Sequence, residues 1–142
     1  PYPVFCLSKG TKSTTNRIFG QLCTHFYGDP QKSFEQLIGV TGTNGKTTTT
    51  HMIAKVLSDA RLTVGLIGTL GYRCNNGAHV ITDCTTPYAS LLQEIFARMK
   101  DDYHINHVVM EVSSYGITLE RIYGCQFSTV VFTNFTQDHL SF

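Results

Sequence analysis

Leu37-Ile38-Gly39-Val40-Thr41-Gly42-Thr43-Asn44-Gly45-Lys46-Thr47-Thr48 is the stretch on which the reading of this chain turns. A short apolar run enters a loop holding Gly42 and Gly45, and Lys46-Thr47 then opens an amphipathic segment. That order is strand, phosphate loop, helix. Backbone N–H groups in such a loop, together with the positive end of the helix dipole, solvate a polyphosphate. Lys46 would reach the β and γ phosphates, and the Thr47 hydroxyl would ligate the accompanying Mg²⁺. The strict G-x-x-x-x-G-K-[ST] spacing wants glycine where Val40 stands; the early glycines are Gly39 and Gly42, which points to a particular subset of phosphate loops. The alternative, an ordinary Gly/Asn turn between strand and helix, is disfavoured by Gly-Lys-Thr-Thr in this context.

Working outward, apolar residues Ile18, Phe19, Leu22, Cys23 and Phe26 share one helical face, so residues 14–26 are expected to be a helix that stops at Gly28-Asp29-Pro30. Residues 37–41 form the first strand. The helix that follows, from Thr47 to about Ala60, is expected to present Met52, Ile53, Val56, Leu57 and Ala60 to the sheet. Four consecutive threonines at 47–50 start a helix poorly on propensity, and hydroxyls near phosphate explain them better. Residues 64–68 form a second buried strand. Residues 71–73 and 79–81 flank Asn75-Asn76-Gly77 as a hairpin. Thr86-Pro87 is expected to start a helix, with Pro87 at the first helical position, carrying Leu91, Leu92, Ile95, Phe96 and Met99 inward. Residues 108–112 and 129–133 complete the set as buried strands. Strands alternating with helices give an α/β fold, a doubly wound, mostly parallel sheet with a phosphate loop. Ligands should gather at the carboxyl ends of its strands.

The 142 residues suit one domain with a real core. A formal charge of +1 gives no basic excess and argues against nucleic acid as partner. No apolar run approaches the roughly 20 residues needed to span a bilayer. No signal peptide is visible. The five cysteines (Cys6, Cys23, Cys74, Cys84, Cys125) form no C-x-x-C pair, and their odd number and wide spacing fit reduced thiols in a cytoplasmic protein.

Each polar cluster of note sits just past an expected strand. Glu111 closes the run Val108-Val109-Met110, the usual position of a Mg²⁺-binding acid in nucleotide-binding α/β proteins; a charge reaching solvent is the alternative. Thr133-Asn134 and Asp138-His139 follow the last strand, and His139 beside a second acid is a candidate ligand or a surface residue. Thr85-Thr86-Pro87 reads as a cap or a contact, Ser113-Ser114 as a turn or a substrate loop, and Arg121 as an anion clamp or an exposed cation.

Taken in order, Gly39–Thr48, Thr85–Pro87, Met110-Glu-Val-Ser-Ser114 and Thr133-Asn-Phe-Thr-Gln-Asp-His-Leu140 resemble the Mur ligase family, and within it the central ATP-binding domain of the MurE type. The resemblance runs from about Thr14 to Phe142, leaving residues 1–13 as a linker or the trailing edge of an N-terminal domain. It implies ATP-dependent amide formation in peptidoglycan precursor synthesis. A diamino acid, meso-diaminopimelate or L-lysine, would join UDP-MurNAc-L-Ala-D-Glu through an acyl phosphate. Gly42, Thr43, Asn44, Gly45, Lys46, Thr47 and Thr48 would cradle the triphosphate. Thr47 and Glu111 would hold one Mg²⁺ and His139 a second. Thr85, Thr86, Ser113 and Arg121 would bind the UDP-muramoyl dipeptide, and Lys46, Glu111 and His139 would carry the chemistry. A monomer without membrane attachment is expected. Two positions depart from the family: Tyr115 stands where histidine is common, and Ser141 where an acid is frequent. The resemblance puts the carbamylated lysine, most adenine and ribose contacts and the amino-acid-selecting domain after residue 142, so the fragment alone is expected to be inactive. Two other readings stay open, another Mur-type amide ligase such as a MurF-like one, and a non-catalytic phosphate-loop module. No Asn-Lys-x-Asp guanine-reading motif favours the latter.

Overall fold

Side chains that alternate between two apolar faces demand cover on both sides of the sheet, and the strands here alternate in that way. A computed structural model describes residues 12–136. Asp138-His139 and the connector before residue 12 lie outside the described residues. The elements run α1 (Lys12–Phe26), β1 (Gln36–Thr41), α2 (Lys46–Asp59), β2 (Val64–Gly68), β3 (Gly71–Cys74), β4 (His79–Val80), α3 (Ala89–Asp101), β5 (His107–Glu111), α4 (Ser114–Thr118) and β6 (Thr129–Phe132), with a 3₁₀ turn at Pro30–Ser33. The strand order is β4-β3-β2-β5-β1-β6. β2, β5, β1 and β6 are parallel, whereas β3 and β4 add antiparallel at one edge. This is the α/β, mostly parallel, doubly wound sheet expected from the sequence.

The two faces bury separate clusters. Leu37, Ile67, Val108 and Met110 pack with Leu92, Ile95, Phe96 and Met99 of α3. Ile38, Val40, Val64, Leu66 and Val109 pack with Ile53, Ala54 and Leu57 of α2. The four inward residues of α3 are each 0% exposed. Each contributes roughly 1.5–3 kcal/mol of transfer free energy, more than any propensity term in that helix.

Several expectations are corrected in detail. Met52 and Val56 of α2 are 65% and 68% exposed. The helix is rotated so that Ile53, Ala54 and Leu57 meet the sheet. On α1 the apolar stripe is largely open, with Phe19, Leu22 and Phe26 exposed, and the buried line is Gly20, Cys23 and Thr24. Thr24 donates to the Gly20 carbonyl. α3 begins at Ala89 with Tyr88 as its N-cap, two residues past Pro87. Leu91 on α3 is 37% exposed rather than inward. β6 is exposed, not buried, because its described neighbour on the sheet is β1 alone.

Candidate functional site

Parity along β5 sets the site. Val109 faces α2, so Glu111, two residues on, faces the same way at the carboxyl end of the strand. There its carboxylate meets the start of α2. The Thr47 hydroxyl donates to Glu111 Oε2 at 3.0 Å. The Thr69 amide donates to Oε1 at 3.0 Å and the Thr69 hydroxyl to Oε2 at 3.1 Å. Glu111 is 1% exposed. A buried carboxylate needs that many donors, since the cost of desolvation is otherwise uncompensated. Gly68 makes room for it: a Cβ there would lie 2.1 Å from Glu111 Oε1. The pair Thr47 and Glu111 fits a Mg²⁺ that keeps waters and phosphate oxygens as its other ligands. Among the described residues no cluster of three or more His, Cys, Asp or Glu offers a caged metal site.

The phosphate loop between β1 and α2 is shaped from a distance. Asn134, just past β6, accepts the Thr43 amide on its carbonyl and the Asn44 amide on Oδ1, each at 3.0 Å, and returns Nδ2 to the Asn44 carbonyl at 2.9 Å. Thr133 donates to the Asn44 carbonyl at 2.7 Å, and Thr43 and Thr136 exchange two bonds of 3.0 Å. Gly42 has φ +128°, and a Cβ there would sit 2.2 Å from Thr133 Oγ1. Two independent reasons therefore require glycine. Lys46 folds over the loop and donates to the carbonyls of Gly42 at 2.7 Å and Thr43 at 2.9 Å. With the amides of Thr43 and Asn44 engaged, those from Gly45 through Thr48, ahead of the first intrahelical bond from Thr49 to Gly45, are the donors left for an anion.

The threonine run divides its labour. Thr47 faces Glu111, and Thr48 is exposed on the first turn. Thr50 is 0% exposed and bonds back to the Thr47 carbonyl at 2.9 Å, so helix packing rather than phosphate accounts for it. His51 Nδ1 lies 3.1 Å from the same carbonyl, while its Nε2 is buried with no partner among the described residues. Burial, reinforced by Arg73 and opposed by Glu111, pushes the His51 pKa below its ordinary value.

A cleft of about 480 Å³ joins the loop to the other expected residues, lined by Thr43 and Lys46 as well as by Thr85, Ser113 and Arg121. Thr86 does not face it. Its side chain is 0% exposed, donates to the Glu111 carbonyl at 3.1 Å and accepts the Ser113 amide at 2.9 Å. It therefore clamps the loop before α3 to the loop after β5. Ser113 caps α4 by accepting the Gly116 amide at 3.0 Å. Arg121 donates to the Thr86 carbonyl at 2.9 Å and lies 4.0 Å over the Tyr88 ring, leaving Nε buried without a partner among the described residues. Tyr115 also borders the cleft. His139 lies outside the described residues. Thr69, Thr133 and Asn134 emerge as site residues in their own right. Gly68-Thr69 at the end of an apolar strand, mirroring the position of Glu111, was the signal for the first of them.

Cys23, Cys74, Cys84 and Cys125 are free thiols. Burial pushes Cys74 up to about 11 and Cys125 up to about 12, whereas Cys84 borders the cleft.

A sequence profile of the Mur ligase middle domain matches residues 40–142. The chain is 51% identical over 125 residues to UDP-N-acetylmuramoyl-L-alanyl-D-glutamate–2,6-diaminopimelate ligase of Corynebacterium glutamicum, covering 88% of this chain and 24% of that one. It is 43% identical over 128 residues to the protein of the same name from Bacillus velezensis, covering 90% and 26%. A solved structure of a ligase of that name superposes with a TM-score of 0.71 at 26% identity, over 91% of this chain and 25% of the other. The chain thus spans about a quarter of the length of the curated relatives it matches.

Proposed function

The chain belongs to the Mur ligase family through its middle domain, and from that premise we propose that residues 14–142 form the ATP-binding part of a MurE-type amide ligase of peptidoglycan precursor synthesis. Its substrates are ATP, UDP-MurNAc-L-Ala-D-Glu and a diamino acid. The names of the relatives favour 2,6-diaminopimelate over L-lysine as that amine. A γ-carboxylate oxygen of D-Glu attacks the γ-phosphorus of ATP and displaces ADP. The amine then attacks the acyl phosphate carbonyl, loses a proton and releases phosphate. Both steps concentrate negative charge at one phosphoryl group, so positioning and cations supply most of the rate.

The observation that carries this reading is the shared cleft, which Lys46 of the phosphate loop lines together with Thr85, Ser113 and Arg121. A nucleotide and an acidic sugar-peptide would meet there. Lys46 is 2.7 Å from a loop carbonyl and would exchange that bond for the outer phosphates. The amides of Gly45 through Thr48 orient the triphosphate at the start of α2. Thr47 and Glu111 would hold Mg²⁺, which supplies charge neutralisation between the phosphates when bound. His139 is assigned a second Mg²⁺ from the resemblance alone. Arg121, already oriented by Tyr88 and the Thr86 carbonyl, offers its guanidinium to a carboxylate of the dipeptide. We further read the protein as a cytoplasmic monomer with no nucleic-acid or membrane partner.

The test is a chimaera in which residues 14–142 replace the matching segment of the C. glutamicum relative. Incubated with Mg²⁺, ATP, UDP-MurNAc-L-Ala-D-Glu and meso-diaminopimelate, it should release phosphate only when the dipeptide is present and yield a product of tripeptide mass. A folded chimaera that binds ATP but shows no dipeptide-dependent phosphate release would move the assignment to another amide ligase on this core, or to a non-catalytic module.

A further inference from the structure

Thr69 stands in none of the motifs that led to the function, yet it touches both halves of the site. Its amide and hydroxyl reach the two oxygens of Glu111 at 3.0 and 3.1 Å. The same hydroxyl lies 3.0 Å from Thr85 Oγ1. Counting protons orders this chain of contacts. An ionised carboxylate only accepts, and a hydroxyl carries one proton. The Thr69 proton therefore goes to Glu111, and the contact with Thr85 needs the proton of Thr85. Thr85 in turn borders the cleft. With its proton directed at Thr69, its lone pairs remain for the substrate.

We propose that Thr69 is a positioning residue that couples the cation-binding acid Glu111 to the substrate-side hydroxyl of Thr85, and that it fixes Thr85 as an acceptor for an N–H or O–H donor of the muramoyl dipeptide. This rests on the functional reading above. Two further features support it. Gly68, lacking a Cβ, admits the Glu111 carboxylate against the end of β2 beside Thr69, since a Cβ there would lie 2.1 Å from Oε1. Thr47 shares Oε2 with Thr69, so a cation drawing on Thr47 and Glu111 changes the load on the Thr69 hydroxyl as well. Occupation of one side thereby alters the other, and the coupling must be reciprocal.

The test uses Thr69→Val, which keeps the β-branched shape and the backbone amide but removes the hydroxyl, and Thr69→Ser, which restores it. In the chimaera, half-saturating Mg²⁺ is measured at low and at saturating dipeptide. Wild type and Thr69→Ser should show a Mg²⁺ requirement that falls as dipeptide is added. Thr69→Val should lose that dependence and need roughly tenfold more Mg²⁺ and dipeptide, the lower end for a bond to a charged group. Thr69→Val and Thr85→Val should also be non-additive when combined. Equal impairment of the Val and Ser variants, or a lowered Tm with both half-saturation values unmoved, overturns the proposal. If the wild-type chimaera makes no product, the functional reading has failed instead. The Thr69–Glu111 link is then judged on the chain itself by titrating a fluorescent ATP analogue with Mg²⁺: Thr69→Val binding several-fold more weakly than wild type and Thr69→Ser supports it, and equal affinities overturn it.

Discussion

Replacing Thr86 by valine keeps volume and branching while deleting one hydroxyl, and that hydroxyl joins two loops. In the native chain it donates to the Glu111 carbonyl at 3.1 Å, accepts the Ser113 amide at 2.9 Å and lies 3.1 Å from Ser113 Oγ. Thr86 is 0% exposed, so water cannot take over these contacts. A buried amide deprived of its acceptor costs about 1–3 kcal/mol, and the lost donor to Glu111 adds about 1 kcal/mol, giving about 2–4 kcal/mol in all. Thr86→Ser retains every one of these bonds and loses a methyl. That methyl packs against Gly116, where a Cβ would come within 2.7 Å of Thr86 Cγ2. Its loss costs about 1 kcal/mol. The expected order of stability is therefore wild type, then Thr86→Ser, then Thr86→Val. Guanidinium melts fitted with a common slope measure it, and the valine variant should melt about 6–16 °C lower for a domain of this size. A valine variant no less stable than the serine variant would refute the argument, because packing and not the hydroxyl would then hold the loops together.

Gly68→Ala should leave a folded chain whose Mg²⁺-dependent nucleotide affinity falls about tenfold or more, since the new methyl displaces Glu111; titration with a fluorescent ATP analogue measures it. Asn134→Ala removes the two Asn134 side-chain bonds to Asn44 and should weaken ATP binding at least several-fold while costing about 1–2 kcal/mol of stability. Stability should fall as pH drops from about 6.5, the ordinary histidine value. The unfolded chain then takes up a proton that folded His51, with its lowered pKa, still refuses; the loss levels off below the folded value, and above 6.5 this contribution is flat. His51→Gln should remove that difference in paired pH-dependent melts. Iodoacetamide followed by mass mapping should label Cys84 well ahead of Cys74 and Cys125, whose thiols are raised to about 11 and 12 by burial.

What the sequence told and what it withheld follow from the range of the forces involved. The phosphate loop, the strands and the Asn-Gly hairpin are local patterns, and each formed where expected, to within a residue or two. The orientation of α2 differs from the expected one because periodicity finds an apolar stripe but not the neighbour that will cover it, so Met52 and Val56 lie outside while Ala54 packs inward. The expected helix start at Pro87 was displaced because Thr86 is committed to Ser113, 27 residues away, and to Glu111, 25 away. The role of Thr69 is non-local for the same reason: its partner Glu111 lies 42 residues along the chain. The end of an apolar strand marks Thr69 as a candidate position, but nothing local names Glu111 as its partner.

The latch on the phosphate loop has a consequence for the order of assembly. Asn44 meets Asn134 across 90 positions, and Thr43 meets Thr136 across 93. The loop is adjacent in sequence to β1 and α2, yet its shape is imposed by a segment that arrives only when β6 pairs with β1. Closing so long a span precedes any reward from the contacts it brings. A chain with β1 and α2 in place but β6 undocked would present Lys46 and Thr47 on a loop whose amides have no fixed direction. Nucleotide affinity should then rise only once β6 has docked, making a bound ATP analogue a kinetic marker for the completion of this side of the sheet.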